Sequence, residues 1–573
     1  MSFRQKILTF AANVLMFLFQ VMNINKLMRL SLLTLAILMG ASMIDAANVD
    51  MNTARTTASN FLRLHSTSPT SLKAPALADL RLAHAEPSTV GLDAKAYYAF
   101  NIDGGGFIIV AGDDRASRVL GYNDQGQLDF RHLPDGLAWL LQEYKRQIEH
   151  LQAHPELQAS PRYTDNAATV IVEPLITAHW GQHDPYNRQC PTSVNNRRTK
   201  VGCAGVQMAQ ICYYWQYPTS CGPMDSYTTS GLTVAALPAT TFDYSKMLPS
   251  YCHWDYDKGE TVLDVYDEDK IQEAAKLCRY VGQAASMFYS LATSFTNGTK
   301  KLAAMKTLGY NPNARSVSRT GNYTDEQWDE MLRAEIDAGR PVMYGAKSVT
   351  TTTSVSHAFI LDGYDNQGYF HINMGWYGHG DGWYLSTAIN TTTLEGSARE
   401  YSADEYIFLD MEPPVYCKIL TQGIDATGKL LVLGDMINIQ ATGVRIYTSH
   451  DAVDLAYSLA DVGGNIVATG DPFHVVKTGF EQGSNVSGTL TLPTTLSEGT
   501  YSLQFNYLAD NALNIVDTAT GKLTVLGKFA KYNSRFTIDD VTTVIDLLLT
   551  GSPTSTPLDI SDVTMLIDHL LQH

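Results

Sequence analysis

Positive charge is scarce in this chain of 573 residues. It has 41 Lys and Arg against 58 Asp and Glu, and charged residues make up only 17% of the sequence. Nucleic-acid binding depends on clustered cations that neutralise phosphates. We therefore set aside a nucleic-acid-binding function and consider proteins that act on other partners.

The sequence also has little that could anchor it in a membrane. A transmembrane helix needs about 20 consecutive apolar residues. The stretch from Lys26 to Ala47 has a basic start, the apolar run Leu30–Met39 and an exit of small residues. This layout predicts a cleaved secretory signal, and hence a secreted or cell-surface protein that meets the membrane only through that signal.

An earlier apolar stretch, Ile7–Val21, leaves two interpretations of the first 47 residues. Translation begins at Met22 or Met28, or the region contains two short apolar helices. We favour the later start.

No C-x-x-C spacing occurs among the cysteines, which lie at positions 190, 203, 212, 221, 252, 278 and 417. This argues against a structural zinc site, and we predict neither a metal nor an organic cofactor. Because seven is odd, at least one thiol stays unpaired unless it pairs between chains. The spacing allows disulfides among the others and does not select a pairing.

The C-terminal region changes in character after Pro413-Pro414. Short alternating strands separated by turn residues predict a β-sandwich over residues 415–527. The segment Ile538–Thr542 then returns 22 positions later as Ile560–Thr564, which predicts two packed helices. This tail resembles a dockerin module. However, it lacks alternating acidic residues before Asp540 and Asp562, so we expect a packing or docking unit and not a calcium site.

Cys203 is the candidate nucleophile. Apolar residues at 204, 208, 211 and 215 lie on one helical face and place Cys203 on the first turn of a helix that closes at Pro218. Free N–H groups and the helix dipole favour a thiolate there. Cys212, in the same helix, is expected to be a buried small hydrophobe.

A thiolate nucleophile needs an imidazole partner, and His357 is the candidate. It lies near the start of an apolar strand, and a second strand, Tyr369–Met374, follows the next turn. A hairpin centred on Asp365 would place His357 opposite Asn373, whose amide could orient the ring.

Two further residues complete the candidate site. Gln182, in a turn-rich segment, could donate to the oxyanion of a tetrahedral intermediate together with the backbone N–H of the nucleophile. Trp376 could shield a contact between His357 and Asn373 from water, or be a simple core aromatic.

These residues fall in motifs that resemble the streptopain family of papain-like cysteine peptidases, including the interpain-type enzymes. The motifs occur in order over about residues 170–412: Gln182-His-Asp-Pro-Tyr-Asn187, Gly202-Cys203 with Met208-Ala-Gln-Ile211 and Tyr217-Pro218, His357-Ala-Phe359 with Asp362-Gly363, His371-Ile-Asn373, and Gly375-Trp376. The resemblance implies Cys203 as nucleophile, His357 as general base and acid, Gln182 as oxyanion donor and Asn373 as orienting residue.

The segment Gly105–Arg115, with Val119–Tyr122, resembles the inhibitory pro-domain of the same family. A zymogen is therefore expected, with its pro-domain as an intramolecular inhibitor that blocks the cleft and is removed between His154 and Val172. The resemblance also implies a preference for an apolar substrate residue just before the scissile position.

The sequence thus predicts a multidomain chain with an α+β papain-like peptidase domain. The predicted boundaries are 1–47 for the signal region, 48–153 for a small α+β pro-domain, 154–169 for the linker and processing region, 170–414 for the peptidase, 415–527 for an immunoglobulin-like sandwich and 528–573 for the dockerin-like helices. The predicted function is a secreted cysteine endopeptidase acting on proteins or peptides, with docking through its C-terminal modules.

Two alternatives remain open. One is a catalytically idle adhesion or binding protein, against which the joint presence of the four site residues argues. The other is a thiol acyltransferase of the transglutaminase type, which passes the acyl group to an amine.

Overall fold

The computed structural model describes residues 48–65, 77–155, 157, 169–193, 196–229, 231–319, 323–349, 354–388, 405–480, 483–509 and 512–572. They form two compact units, divided between Pro413 and Pro414. The predicted signal region and most of the predicted linker lie outside the described residues. Within the described ranges, no helix is long and apolar enough to cross a membrane.

The first unit combines helices with one large sheet. Its helices are α1 (Met51–His65), α2 (Asp135–Ala153), α3 (Cys203–Trp215), α4 (Glu268–Ala284), α5 (Gly298–Thr307) and α6 (Asp325–Asp337). Its strands are β1 (Leu80–Pro87), β2 (Lys95–Ile102), β3 (Phe107–Ala111), β4 (Val119–Asn123), β5 (Val170–Val172), β6 (Ser220–Cys221), β7 (Tyr227–Thr229), β8 (Leu232–Val234), β9 (Thr240–Thr241), β10 (Cys252–Asp255), β11 (Glu260–Leu263), β12 (Arg315–Ser318), β13 (Val342–Val349), β14 (Ser354–Asp365), β15 (Tyr369–Asn373), β16 (Gly382–Leu385) and β17 (Tyr406–Leu409).

An 11-stranded sheet runs through this unit in the order β1-β2-β3-β4-β16-β15-β14-β13-β17-β12, with β5 paired to β14. The junction is an antiparallel pair in which Trp383 faces Tyr122 and Tyr384 faces Gly121. Strands from the segment 48–153 and from the segment 170–414 therefore share one continuous sheet.

Helices α1 and α2 pack against the N-terminal part of this sheet because each has one apolar face. Ala54, Ala58 and Phe61 of α1 join a buried cluster with residues of β2, β3 and β4. In α2, buried residues recur from Leu137 to Leu151, as the helical spacing of apolar residues predicts.

Helix α3 lies in the interior of the first unit. Nearly all of its side chains are buried, as expected for a helix that is apolar on all sides. It contacts α4 and β14. The predicted helix over this segment is confirmed, and it begins at Cys203 itself.

The hairpin of β14 and β15 has a different register from the predicted one. Asn373 pairs with Ile360, and His357 pairs with Ala346 of β13 on the other side. The predicted pairing of His357 with Asn373 is wrong because the turn is centred further along the chain and a bulge between Leu361 and Gly363 shifts the register.

The second unit is rich in β-structure, as predicted. Its strands are β18 (Cys417–Leu420), β19 (Gly423–Ala426), β20 (Leu431–Val432), β21 (Met436–Thr448), β22 (Ala452–Ala460), β23 (Ile466–Thr469), β24 (Phe473–Val476), β25 (Ser484–Thr491), β26 (Gly499–Ala509), β27 (Ala512–Leu526) and β28 (Phe529–Tyr532). They form a four-stranded and a seven-stranded sheet. One apolar core takes residues from both sheets, including Ile439 of β21 and Leu455 of β22.

The chain ends in two helices, α7 (Ile538–Thr550) and α8 (Ile560–Gln572). Their inner faces pack with strand residues around Phe529 and Val432. The repeated Asp540 and Asp562 are both buried, and each accepts a hydrogen bond from a backbone N–H three residues earlier.

A lysine bonds to each repeated aspartate. Lys531 pairs with Asp540 at 2.7 Å, and Lys528 pairs with Asp562 at 3.1 Å. Ammonium groups of the neighbouring strand region therefore balance both carboxylates.

Candidate functional site

Cys203 is the first residue of α3, and the turn before it depends on glycine. Gly202 has a φ of +83°, and a Cβ there would lie 2.4 Å from the carbonyl oxygen of Ser294. Only glycine fits this conformation and this close approach. The turn presents the partly buried Cys203 thiol at the helix N-terminus, where an anion is favoured.

The strand that carries His357 lies directly against this helix start. The backbone N–H of Ala358, the residue after His357, faces the Cys203 thiol and lowers its pKa. Gln207, one turn further along α3, donates to the backbone carbonyls of Tyr344 and Phe359. The structure thus brings together two segments that are 154 positions apart, from 203 to 357.

Asn373 is buried at the end of β15, and its side chain makes three hydrogen bonds. Its Nδ2 donates to the Ala178 carbonyl at 2.8 Å, and its Oδ1 accepts from Gln210 Nε2 and from the Gly375 N–H, each at 3.0 Å. Among its hydrogen bonds with described residues, none goes to His357. In this form Asn373 holds neighbouring segments together.

Gln182 lies beside the helix start. Its carbonyl accepts from the Val201 N–H at 2.9 Å, and the Trp180 N–H donates to Gln210 Oε1 at 3.1 Å. Gln182 is buried, yet its side-chain amide makes no hydrogen bond with any described residue. An unengaged amide close to Cys203 is what an oxyanion donor requires.

Trp376 packs on the Gln182 side of the site. Its ring centroid is 6.4 Å from that of His183 and 6.4 Å from that of Tyr377. Its indole N–H is buried without a partner in the described part of the chain. Among described residues its ring contacts do not include His357, so the expected shield over a contact between His357 and Asn373 is not formed here.

Burial dominates the electrostatics of the pair. It raises the pKa of the Cys203 thiol, while the charge of Lys301 and the Ala358 N–H act in the opposite direction. Burial lowers the pKa of His357, and the charge of Asp135 opposes that shift. In the form described, the surroundings therefore favour a neutral thiol and a neutral imidazole.

The start of α2 covers this site. A Cβ on Gly136 would lie 3.2 Å from Met374 Sδ and 3.2 Å from Phe359 Cδ1, so the helix backbone sits directly on both residues. The Trp139 ring lies 5.8 Å from that of Phe359. Asp135, the first residue of α2, is close enough for its charge to act on both Cys203 and His357.

Sequence reasoning missed four residues that matter at the site. Gln207 and Gln210 could have been found, because two amides in an otherwise apolar, buried helix need partners. Lys301 and Asp135 gave no such signal, since a Lys300-Lys301 pair and an acidic first turn are typical of solvated helix surfaces.

Comparison with known proteins agrees with this geometry. Residues 180–384 match the sequence profile of the Peptidase C10 family, and residues 46–148 match that of the Spi protease inhibitor. The chain is a cysteine-type peptidase, and an inhibitor pro-domain precedes the peptidase domain within it. Within that class it is a papain-like peptidase of the streptopain family, as its motifs predicted.

Individual relatives are distant. Streptopain of Streptococcus pyogenes serotype M1 is 26% identical over 328 residues, which cover 53% of this chain and 77% of streptopain. The thiol protease/hemagglutinin PrtT of Porphyromonas gingivalis is 26% identical over 393 residues, covering 65% of this chain and 42% of PrtT. The prointerpain A fragment of Prevotella intermedia is 24% identical and covers 58% of this chain and 99% of the fragment, with a TM-score of 0.44.

Proposed function

We propose that this chain is a secreted cysteine endopeptidase, made as a zymogen, in which Cys203 attacks the scissile carbonyl. His357 takes the thiol proton and returns it to the leaving amine. Water, activated by His357, then hydrolyses the acyl-enzyme and restores the thiol. The observation that carries this proposal is the meeting of the α3 N-terminus with the His357 strand, inside the segment that matches a peptidase family.

The oxyanion donors in this proposal are the Gln182 amide and the backbone N–H of Cys203. The unengaged side chain of Gln182, next to the helix start, supports that role. Asn373 is the proposed positioning residue. Its bonds to Gln210 and Gly375 fix the loop that carries Trp376, so its effect on His357 is exerted through that loop and strand.

The pro-domain keeps the enzyme latent in two ways. The start of α2 occupies the space above the site, and burial under it disfavours the thiolate and the imidazolium. Removal of the pro-domain would readmit water, which stabilises both charges. Cleavage between His154 and Val172 is the proposed activating event, and most of those residues lie outside the described ones.

Proteins and peptides are the substrates of such an enzyme, and the proposed preference is for an apolar residue before the scissile bond. We further propose an immunoglobulin-like sandwich for the β-rich part of the second unit and a dockerin-like docking role for α7 and α8. The lysine partners of Asp540 and Asp562 support a packing unit over a calcium site.

The test compares three versions of residues 48–573: wild type, Cys203→Ala and Cys212→Ala. Cys212 is a matched control because it is a buried thiol of the same helix. We expect casein cleavage and loss of the N-terminal domain in wild type and Cys212→Ala, and neither in Cys203→Ala. Casein cleavage by Cys203→Ala at the wild-type rate would refute the proposal.

The acyltransferase alternative is separated by adding a labelled primary amine to the casein reaction. A peptidase releases new peptides, whereas an acyltransferase attaches the label without chain cleavage. Label incorporation without new peptides would replace the proposed hydrolysis by acyl transfer.

A further inference from the structure

Lys301, on α5, is a buried cation without a carboxylate partner in the described part of the chain. It is 1% exposed. Its Nζ donates to Gln207 Oε1 at 2.8 Å and lies 5.2 Å from the ring centroids of both Tyr406 and Phe408. An ammonium group loses much hydration free energy on burial. A buried lysine therefore needs a partner whose interaction compensates for that loss.

Its hydrogen-bond partner belongs to the helix of the nucleophile. Gln207 is four residues after Cys203, one turn along α3 and on the same face. The two N–H groups of its amide go to the carbonyls of Tyr344 and Phe359, which leaves its oxygen to accept from Lys301. Both donors and the acceptor are thereby used, so the amide has a defined orientation and the cation a defined position.

The aromatic side of the Lys301 pocket leads to the same place. Tyr406 of β17 pairs with Gly345 of β13, and Gly345 pairs with Ala358 of β14. A Cβ on Gly345 would lie 2.1 Å from Tyr406 Cζ, so the ring packs directly on that backbone. The ring beneath the ammonium group therefore lies beside the strand whose Ala358 N–H faces the thiol.

Two charged side chains, Lys301 and Asp135, act at the sulfur. Lys301 on α5 has the largest lowering effect on the pKa of Cys203, ahead of the Ala358 N–H, and Asp135 on α2 raises that pKa. Burial lowers the pKa of Lys301 to about 8, and the Cys203 thiolate opposes this shift. His357 on β14 and Tyr406 on β17 are the other titratable groups nearby. Burial raises the pKa of Tyr406, and the Cys203 charge raises it further.

We propose that Lys301 is a positioning residue for the nucleophile: its ammonium group, fixed by Gln207 and two aromatic rings, stabilises negative charge on the Cys203 sulfur. The proposal rests on the function proposed above for Cys203. Lys301 does not touch the substrate. From its place at Gln207, one turn along α3, it supplies a positive charge that persists while the proton moves from the thiol to His357.

The test is the pH dependence of Cys203 alkylation by iodoacetamide, followed by peptide mass spectrometry. Residues 48–573 are compared as wild type, Lys301→Met, Lys301→Arg and Lys300→Met, always in the same processing state. Lys300 is the matched control because it is an exposed lysine of the same helix. We expect Lys301→Met to move the inflection upward by about one pH unit, so that about ten-fold less thiolate forms at neutral pH.

Lys300→Met should follow the wild-type profile, and Lys301→Arg, which keeps the charge, should return the inflection toward it. A purely structural role would change the rate or the unfolding midpoint without moving the inflection. An unshifted inflection in folded Lys301→Met would overturn the proposal. If Cys203→Ala is inactive and this inflection does not move, only the proposal about Lys301 fails.

A second measurement applies if Lys301→Met does not fold. Electrostatic coupling is reciprocal, so the thiolate must raise the pKa of Lys301 as much as Lys301 lowers that of the thiol. With ¹³C-labelled lysine, the Lys301 titration in Cys203→Ala should have its midpoint below that of wild type. Coincident midpoints would contradict the proposal.

Discussion

Gln210 donates a hydrogen bond from Nε2 to Oδ1 of Asn373 at 3.0 Å, between residues 163 positions apart. The Oε1 of the same amide accepts from the Trp180 N–H at 3.1 Å. One glutamine of α3 therefore ties the segment that carries Gln182 to the loop that carries Trp376. It does so two turns beyond Cys203, inside the buried part of the helix.

Gln210→Ala should weaken both the fold and the activity. It leaves the Trp180 N–H and the Asn373 oxygen with one partner fewer, and a buried polar group left unsatisfied costs about 1–3 kcal/mol. We expect the free energy of unfolding, measured in urea, to fall by about this amount. We also expect a lower kcat on casein, because Gln210 no longer links the Trp180 and Asn373 segments beside the site. Gln142→Ala, at an exposed position of α2, should stay within about 0.5 kcal/mol of wild type. Equal stability of the two variants would refute this prediction.

Local patterns predicted much of the fold. The apolar spacing in the Cys203 helix and the 22-residue tail repeat each depend on contacts within one element or between neighbours. The structure has the corresponding helices α3, α7 and α8. Such patterns follow from the periods of helices and strands alone.

The register of the β14–β15 hairpin could not be predicted in the same way. The turn is centred near Gln367 and not on Asp365, and a bulge between Leu361 and Gly363 changes the register by one residue, so Asn373 lies opposite Ile360 and not opposite His357. Symmetry about a turn assumes equal strand lengths on both sides, and one extra residue invalidates it. The Lys301 pocket was unpredictable for another reason, because its partners Gln207 and Tyr406 come from distant segments and only the fold brings them together.

Asp135→Asn should make Cys203 more reactive in the unprocessed chain. Asp135 is exposed, and its negative charge raises the pKa of the Cys203 thiol. Removing an exposed charge has a modest effect, so we expect alkylation of Cys203 at neutral pH to be about two- to five-fold faster, and less so in high salt. Asp124→Asn, another exposed carboxylate of the pro-domain, serves as control. Identical rates for the two variants would rule out an electrostatic contribution of Asp135 to latency.

Glu143 should make the stability of the first unit depend on pH. This α2 carboxyl is 4% exposed, and burial raises its pKa to about 7; Arg146 opposes the shift and Glu405 adds to it. Because its pKa is raised in the folded state, the protonated Glu143 carboxyl stabilises the folded protein. This stabilisation is fully present below the ordinary pKa of 4.5 and is lost as pH rises toward about 7.

Glu143→Gln should remove that dependence, because an amide keeps the shape and does not ionise. Thermal unfolding midpoints between pH 4.5 and pH 8 would be compared for the two proteins. We expect the wild-type midpoint to fall relative to that of Glu143→Gln as pH rises. Parallel curves over this range would show that Glu143 does not titrate in this window.

Lys531→Met should destabilise the second unit strongly. Lys531 is 8% exposed, and its Nζ bonds to both oxygens of Asp540, at 3.0 Å and 2.7 Å. Removing one partner of a buried ion pair leaves an uncompensated charge, at a cost of about 3–5 kcal/mol. Asp540→Asn in the same chain should restore part of this stability, and the exposed control Lys522→Met should change little. Because the ammonium group already balances Asp540, added calcium should leave the wild-type unfolding midpoint unchanged. A calcium-dependent rise in that midpoint, or a Lys531→Met variant as stable as Lys522→Met, would contradict the balance of charges described here.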